Sequence, residues 1–497
     1  MKPLKILMVT SEVSPLAKTG GLADMVSGLS LALATLGHDV RVVLPRYTSV
    51  RDHIVGVGRT HALDVRRGGL AGTATAEELI LRGTDEDSLR GPKFFAVQRD
   101  EYYERVGLYQ ESGKDYPDNL ARFAYFSSAV LELMALWEHL EGWVPDVVHG
   151  HDWQTGLLPV YLKSTSSTFS RTSGTRTLLT IHNLGYQGIF PGEQFDSLGL
   201  PRDYFTPQAL EFYGSVNLLK GGIIFSDALT TVSPTYCREI QTSENGFGLE
   251  GVLRERCEHL TGIVNGIDTA VWNPETDPWI AARYSIADRS GKATCKSALQ
   301  EECGLPIRKV PLLAVVSRLV SQKGIDLLVD AASIFLAREV QLVVLGTGEP
   351  ELESQLLALE SGHADKVKVF LKFDEGLSHR IQAGSDLFLV PSRYEPCGLT
   401  QLYSLRYGTV PIVRRTGGLA DTVVGVADGS SRRRGSTGFL FDEPSGIALA
   451  RAIDSALDRY NNKRLWSNLS LRGMHADFSW MESARQYVKA YEAVVQS

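Results

Sequence analysis

The chain has 497 residues, 43% hydrophobic and 22% charged, the balance of an ordinary globular protein with material for about two to four domains. Its net charge of −7 excludes a broad nucleic-acid footprint, so an anionic small molecule would need a local basic pocket. Five cysteines, Cys237, Cys257, Cys295, Cys303 and Cys397, form no CxxC pair, which argues against a zinc ribbon or a disulfide framework and suits a reducing cytosol.

The first apolar run, Ile6–Val9, is too short for a signal peptide or a membrane span and reads as a buried strand. It opens a series of strand candidates: Lys5–Thr10, Val40–Leu44, Phe94–Val97, Val147–His149, Thr177–Ile181 and Ala228–Val232. Several are continuous apolar runs, as strands buried on both faces should be. Between the first two lies a helix with Leu22, Met25, Val26, Leu29, Leu33 and Leu36 on one face, closed by Gly37. Lys163–Thr175 and Gln241–Gly251 read as loops. A second series follows Asn265-Gly266-Ile267-Asp268, with strands at Leu312–Val316, Gln341–Leu345, Val367–Leu371, Leu387–Val390 and Val410–Val413. Helix patterns such as Ile325, Leu328, Ala332 and Phe335 intervene. Asp428–Gly438, with Arg432-Arg433-Arg434, reads as a solvated loop, and Ser479–Val495 as a final helix. Strands alternating with helices in two series imply an α/β protein of two Rossmann-like, doubly wound parallel-sheet domains facing a central cleft.

Six residues occur twice: Thr19-Gly20-Gly21-Leu22-Ala23-Asp24 and Thr416-Gly417-Gly418-Leu419-Ala420-Asp421. Each copy follows a strand-like run and opens a helix-like run. Paired glycines there permit a sharp turn and bring unpaired N–H groups to a helix start, where the dipole favours anions. Two such loops suggest two similar domains addressing one anionic ligand.

Further chemistry gathers at strand ends, where open α/β sheets bind ligands. Pro391-Ser392-Arg393-Tyr394-Glu395-Pro396-Cys397-Gly398-Leu399-Thr400-Gln401 follows one strand. It sets the Glu395 carboxylate beside successive N–H groups of Cys397, Gly398 and Leu399, a combination suited to hydroxyls that both give and accept. Arg318 and Lys323 share a short loop after another strand, a fork and a point charge both fitted to phosphate. His182-Asn183 ends Thr177–Ile181. His149-Gly150-His151-Asp152-Trp153 looks like part of a metal-hydrolase loop but lacks the second Asp-His pair, and Trp153 offers a flat face for a sugar ring. Asp85-Glu86-Asp87 matches a DxD pattern without a flanking strand and reads as an exposed turn; there is no Walker A and no GxGxxG after the first strand.

Lys18-Thr19-Gly20-Gly21-Leu22-Ala23-Asp24, His182-Asn183, Arg318 with Lys323, and Glu395-Pro396-Cys397-Gly398-Leu399-Thr400 together resemble bacterial glycogen synthase and plant starch synthase. Gly262-Ile263-Val264-Asn265-Gly266-Ile267-Asp268 and Val271-Trp272-Asn273-Pro274 extend the likeness over nearly the whole chain. The resemblance implies a GT-B fold: an acceptor-side domain over 1–261, a nucleotide-sugar domain over 262–478, and a helix at 479–497 packing back on the first. It implies a cytoplasmic enzyme that moves glucose from ADP-glucose to the end of an α-1,4-glucan such as glycogen with retention, needing no cofactor or metal and binding neither nucleic acid nor membrane. Oligomeric state is left open.

The resemblance assigns catalysis to His182, Arg318, Lys323, Glu395 and Asp152. It assigns donor binding to Lys18, Gly20, Gly21, Asp24, Asn183, Asn265, Phe373, Cys397, Gly398, Leu399 and Thr400. Phe373 stands where relatives often carry Tyr, and His149-Gly150-His151-Asp152-Trp153-Gln154 departs from the commoner His-Ala-His-Asp-Trp-His. Arg318, Lys323 and the Gly20-Gly21 N–H groups would stabilise charge on the leaving diphosphate. Only one carboxylate, Glu395, is convincing, so front-face attack is expected rather than a glycosyl-enzyme. The rivals are a glucan-binding protein that has lost catalysis and a metal-dependent hydrolase built on His149, His151 and Asp152.

Overall fold

Continuous apolar runs become the inner strands of two sheets, each in its own compact unit. The computed structural model describes residues 2–83, 91–164, 174–426 and 435–496. One unit comprises Met1–Val232, Cys237–Gly266 and Trp480–Ser497; the other comprises Ser233–Tyr236 and Ile267–Ser479. Asp85-Glu86-Asp87 and Arg432-Arg433-Arg434 lie outside the described residues.

Among the described residues the main sheet of the first unit has nine strands: β1 (Lys5–Val9), β2 (Asp39–Pro45), β3 (Ile54–Val65), β4 (Gly72–Leu81), β5 (Lys93–Gln98), β6 (Val147–His151), β7 (Arg176–Ile181), β8 (Ala228–Thr231) and β9 (Leu260–Gly262). Their order is β9-β8-β7-β6-β1-β2-β5-β4-β3. Strand order reverses between β1 and β6, and that is where an open parallel sheet leaves a crevice at its carboxyl edge. The sheet is not wholly parallel, contrary to the expectation from sequence. β4 runs antiparallel to both β3 and β5. Only the far end of β3 alternates inward, through His61, Leu63 and Val65; the near half is mostly exposed and broken by Gly56 and Gly58, which hides the strand from a search for apolar runs.

Helix α1 (Gly21–Thr35) buries Leu22, Met25, Val26, Leu29 and Leu33, the face read from sequence. Helix α2 (Asn119–Glu141) is apolar nearly all round. By length and composition it could cross a membrane, but 78% of its most apolar window is buried, which makes it the central helix of a core. The last helix of this unit, Trp480–Gln496, buries Trp480, Ala484, Tyr487, Tyr491 and Val494 at helical spacing and packs against α1.

The second unit holds β10 (Leu312–Val316), β11 (Gln341–Leu345), β12 (Val367–Phe370), β13 (Leu387–Val390), β14 (Val410–Arg414) and β15 (Phe439–Phe441). All are parallel, in the order β12-β11-β10-β13-β14-β15. This is the doubly wound dinucleotide-fold order, and its reversal lies between β10 and β13. The loops that leave those two strands carry Arg318 and Lys323, and Glu395.

Candidate functional site

In the second unit the two loops meet. Lys323 Nζ lies 2.9 and 2.6 Å from the two oxygens of Glu395, and Ser392 Oγ donates to the same carboxylate at 2.8 Å. Lys323 and Glu395 side chains are 19% and 8% exposed, so little water competes for the pair. The approach is set by Gly324: a Cβ there would lie 2.1 Å from the Pro391 carbonyl oxygen, and its φ of +68° is left-handed. Arg318 reaches Gln322 Oε1 at 3.3 Å, and Gln322 in turn donates to the Tyr394 carbonyl. Lys323 is therefore neutralised by Glu395, and Arg318, on the same loop, is exposed. Cys397, Gly398 and Leu399 follow Glu395 into the helix Thr400–Arg406, with the Gln401 amide donating back to the Cys397 and Gly398 carbonyls. Phe373 lies past the end of β12 with its ring 87% exposed.

The repeated hexapeptide serves two different purposes. In the second copy the Gly418 N–H donates to the Glu395 and Pro396 carbonyls, both at 3.1 Å. A Cβ on Gly417 or Gly418 would stand 1.9 or 2.1 Å from the carbonyl oxygens of Glu395 and Cys397. These glycines let one backbone lie against another, and the Gly418 N–H is not available to an anion. Asp421 accepts from Ser233 Oγ, Thr235 N–H and Thr235 Oγ1 at 2.6–2.8 Å, which ties the Ser233–Tyr236 segment to this unit.

The first copy lies open. Nothing would meet a Cβ on Gly20 within 4 Å. Lys18 and Asp24 form an exposed ion pair at 2.7 Å. The Gly20 N–H, expected to face a diphosphate, instead donates to Glu12 at 3.3 Å. Glu12 is only 4% exposed and accepts three more hydrogen bonds: Thr19 N–H at 2.6 Å, Thr19 Oγ1 at 2.7 Å and the Tyr109 hydroxyl at 2.6 Å. Sequence reading passed over it, although a carboxylate just past β1 at a sheet reversal was the available signal.

The carboxyl ends of β6 and β7 are bound together by Asp152. Its Oδ1 accepts the His182 N–H at 2.7 Å and its own N–H donates to the Thr180 carbonyl at 3.0 Å. Its backbone is left-handed and extended, φ +56° and ψ −168°, a conformation costly for any residue but glycine. Burial pushes its carboxyl up to about 7. Burial also lowers His182 to about 3, and lowers His149 and His151 well below the ordinary value, so all three imidazoles are neutral at neutral pH. Trp153 packs edge-on to Phe123 at 5.0 Å, and Gly188 lies against its ring, so it belongs to an aromatic cluster rather than to an open sugar platform. Asn183 follows His182 in the chain and is partly exposed. Asn265 is buried, and its Oδ1 has no hydrogen-bond partner among the described residues.

The hydrolase reading does not fit these donors. Both His149 nitrogens are engaged, by Tyr491 and Thr180, and His151 Nδ1 faces His182. No group of three metal-ligating side chains occurs among the described residues.

A family profile described as starch synthase catalytic domain matches residues 5–255, and one described as glycosyl transferases group 1 matches 304–468. A glycogen synthase of Anaeromyxobacter sp. (strain Fw109-5) is 48% identical over 493 residues, covering 99% of both chains. The chain belongs to the glycogen and starch synthase family. A glycogen synthase of Syntrophotalea carbinolica is 44% identical, again over 99% of both chains. The catalytic domain of starch synthase IV from Arabidopsis thaliana, solved bound to ADP and acarbose, aligns over the whole of both chains with a TM-score of 0.87 and 35% identity. The likeness to that structure identifies the fold as GT-B. Sucrose-phosphate synthase from Thermosynechococcus elongatus, at 18% identity and a TM-score of 0.59, shares the fold alone.

Proposed function

We propose that this glucan-elongating glucosyltransferase draws its glucose from ADP-glucose and adds it, with retention, to the non-reducing end of an α-1,4-glucan. The observation that carries the reading is the Lys323–Glu395–Ser392 cluster at the reversal of the second sheet, where a sugar diphosphate has both a cation and a hydroxyl acceptor within reach. The solved relative that holds ADP supports the choice of nucleotide. Lys18, on the open glycine loop of the first unit, is assigned to the donor by the family resemblance.

Charge dictates the roles. As the glucosyl–phosphate bond breaks, negative charge grows on the diphosphate and positive charge on the sugar. Lys323 shifts its attraction from Glu395 to the departing phosphate, with Arg318 beside it, and fixed donors of this kind contribute about 3–4 kcal/mol each. Glu395, with Ser392 holding one oxygen, then receives sugar hydroxyls. Neither carboxylate serves as a nucleophile in this reading: Glu395 passes from Lys323 to the sugar hydroxyls with Ser392 on one oxygen, and Asp152 accepts main-chain N–H groups. The acceptor hydroxyl therefore attacks on the leaving-group face, and the phosphate takes its proton. The His182 main-chain carbonyl lies beside the anomeric carbon in this reading, held by the Asp152 bond to its N–H. Five free cysteines fit a reducing cytosol.

The test is release of ADP from ADP-glucose, with UDP-glucose as control, with and without glycogen. ADP release that depends on glycogen supports the reading. Turnover of UDP-glucose alone would move the donor assignment, and turnover of neither would end it.

A further inference from the structure

Three imidazoles stand in a row in the first unit, where β6 and β7 end. His149 is saturated: Nδ1 lies 2.8 Å from the Tyr491 hydroxyl and Nε2 2.6 Å from Thr180 Oγ1. His151 is not. Its Nδ1 lies 3.2 Å from His182 Nε2, while its own Nε2 is buried and has no hydrogen-bond partner among the described residues. Both rings are kept neutral by burial, so each carries one proton and exactly one hydrogen occupies the contact between them.

Two arrangements satisfy that count. If His182 donates from Nε2, the proton of His151 must sit on its orphaned Nε2, as a buried N–H with no acceptor. If His151 donates from Nδ1, only a bare lone pair is left at Nε2. Orphaned buried N–H groups are rare in proteins, and in the second arrangement neither polar hydrogen is one: that of His151 is bonded to His182 Nε2, and that of His182 sits on Nδ1, which is not among the buried unpartnered atoms. The second arrangement prevails.

We infer that His151 is a positioning residue for the transfer reaction: by donating from Nδ1 to His182 Nε2, it confines the single proton of His182 to Nδ1. The inference rests on the reading of His182 as a donor-site residue. It gives that residue a definite sign. His182 Nδ1, the ring nitrogen not engaged by His151, is then a hydrogen-bond donor, so it meets an oxygen lone pair of the sugar nucleotide. It cannot act there as a base. The proton of the attacking hydroxyl must go elsewhere, which agrees with its transfer to the leaving phosphate.

The whole chain labelled with ¹⁵N-histidine tests this directly. Long-range ¹H–¹⁵N correlation of the unliganded enzyme should show His182 with a protonated Nδ1 and a bare Nε2. The reverse pattern overturns the inference, whatever the kinetics. Two variants give a second readout. His151→Leu removes the donor and should lower kcat with ADP-glucose about tenfold, with the His182 signals averaging between tautomers. His151→Asn carries an amide N–H near the old Nδ1 position and should restore most of that loss. If Asn and Leu are equally impaired at matched melting temperature, His151 acts by packing and the inference falls. In a His182→Ala background His151→Leu should add nothing further. Should His182→Ala itself leave kcat unchanged, the donor-site reading fails, while the spectrum still decides the tautomer.

Discussion

Replacing Glu12 separates a loop that is merely present from one that is held. The carboxylate divides its work: Oε2 accepts the Thr19 and Gly20 N–H groups, and Oε1 accepts the Thr19 and Tyr109 hydroxyls. Main-chain N–H groups can only donate, whereas hydroxyls can turn and accept. In Glu12→Gln the amide oxygen can face the backbone and the NH₂ can face the two hydroxyls, so every bond survives and only the charge assistance is lost, about 1 kcal/mol of stability. Glu12→Ala removes all four. Thr19 and Gly20 are exposed and recover water, which limits the loss to about 3 kcal/mol. The donor must then order two freed residues, at about 1–2 kcal/mol each. If half of that falls on binding, KM for ADP-glucose rises about 5- to 30-fold. Glycogen affinity should not change. Steady-state kinetics against each substrate, with a thermal melt for each variant, measure this. An alanine variant with wild-type KM for the donor, or a glutamine variant as impaired as alanine, would refute the account of Glu12 as the anchor of Lys18–Gly21.

Lys323→Ala should lower kcat far more than glycogen affinity and should also destabilise the second unit, because it strands a carboxylate that is 8% exposed; the partial exposure of Lys323 keeps this near the low end of about 3–5 kcal/mol. Adding Glu395→Gln should restore the melting temperature without restoring turnover, and recovery of both would show the pair to be structural only. Asp152 is raised from 3.8 to about 7, so between about pH 4 and 7 the folded chain holds a proton that the unfolded chain has released, and stability falls as pH rises through that window by at most about 1.4 kcal/mol per unit. His182, lowered to about 3, acts in the opposite sense below about pH 6.5, so the comparison is between parent and variant: Asp152→Asn should gain stability relative to the parent from pH 4 to 7, and parallel melting curves would contradict it. Phe373→Ala should raise KM for ADP-glucose by the worth of one stacked base, about 1–3 kcal/mol, while Phe373→Tyr stays within a few-fold of the parent; equal KM values for all three would remove the ring from the donor site.

The inner strands could be read from sequence because burial on both faces leaves an unbroken apolar signature, as in Leu312–Val316 and Gln341–Leu345, whose bounds agree with the structure. The β3–β4 hairpin could not, since its outer half meets water and its pairing depends on a partner strand rather than on its own residues. Within the site, position was legible and partnership was not. Arg318, Lys323 and Glu395 were each visible as chemistry at a strand end. That Lys323 and Glu395 hold one another across 72 positions follows only from the strand order. The repeated hexapeptide shows the same limit: identical letters supply an open loop beside Glu12 in one place and a backbone seat beneath Glu395 in the other, because sequence does not say which N–H is already taken.

The helix Trp480–Gln496 completes a core whose other parts lie before Gly266. His149 waits for the Tyr491 hydroxyl, and α1 waits for its apolar face. A ribosome takes about 10–40 s to make the stretch between Gly266 and Trp480. During that interval the nascent first unit carries an uncovered greasy groove, and it cannot finish before its sequel is written. Expression of residues 1–266 alone should therefore give a sticky, chaperone-bound fragment, and supplying Trp480–Gln496 as a separate peptide should rescue it.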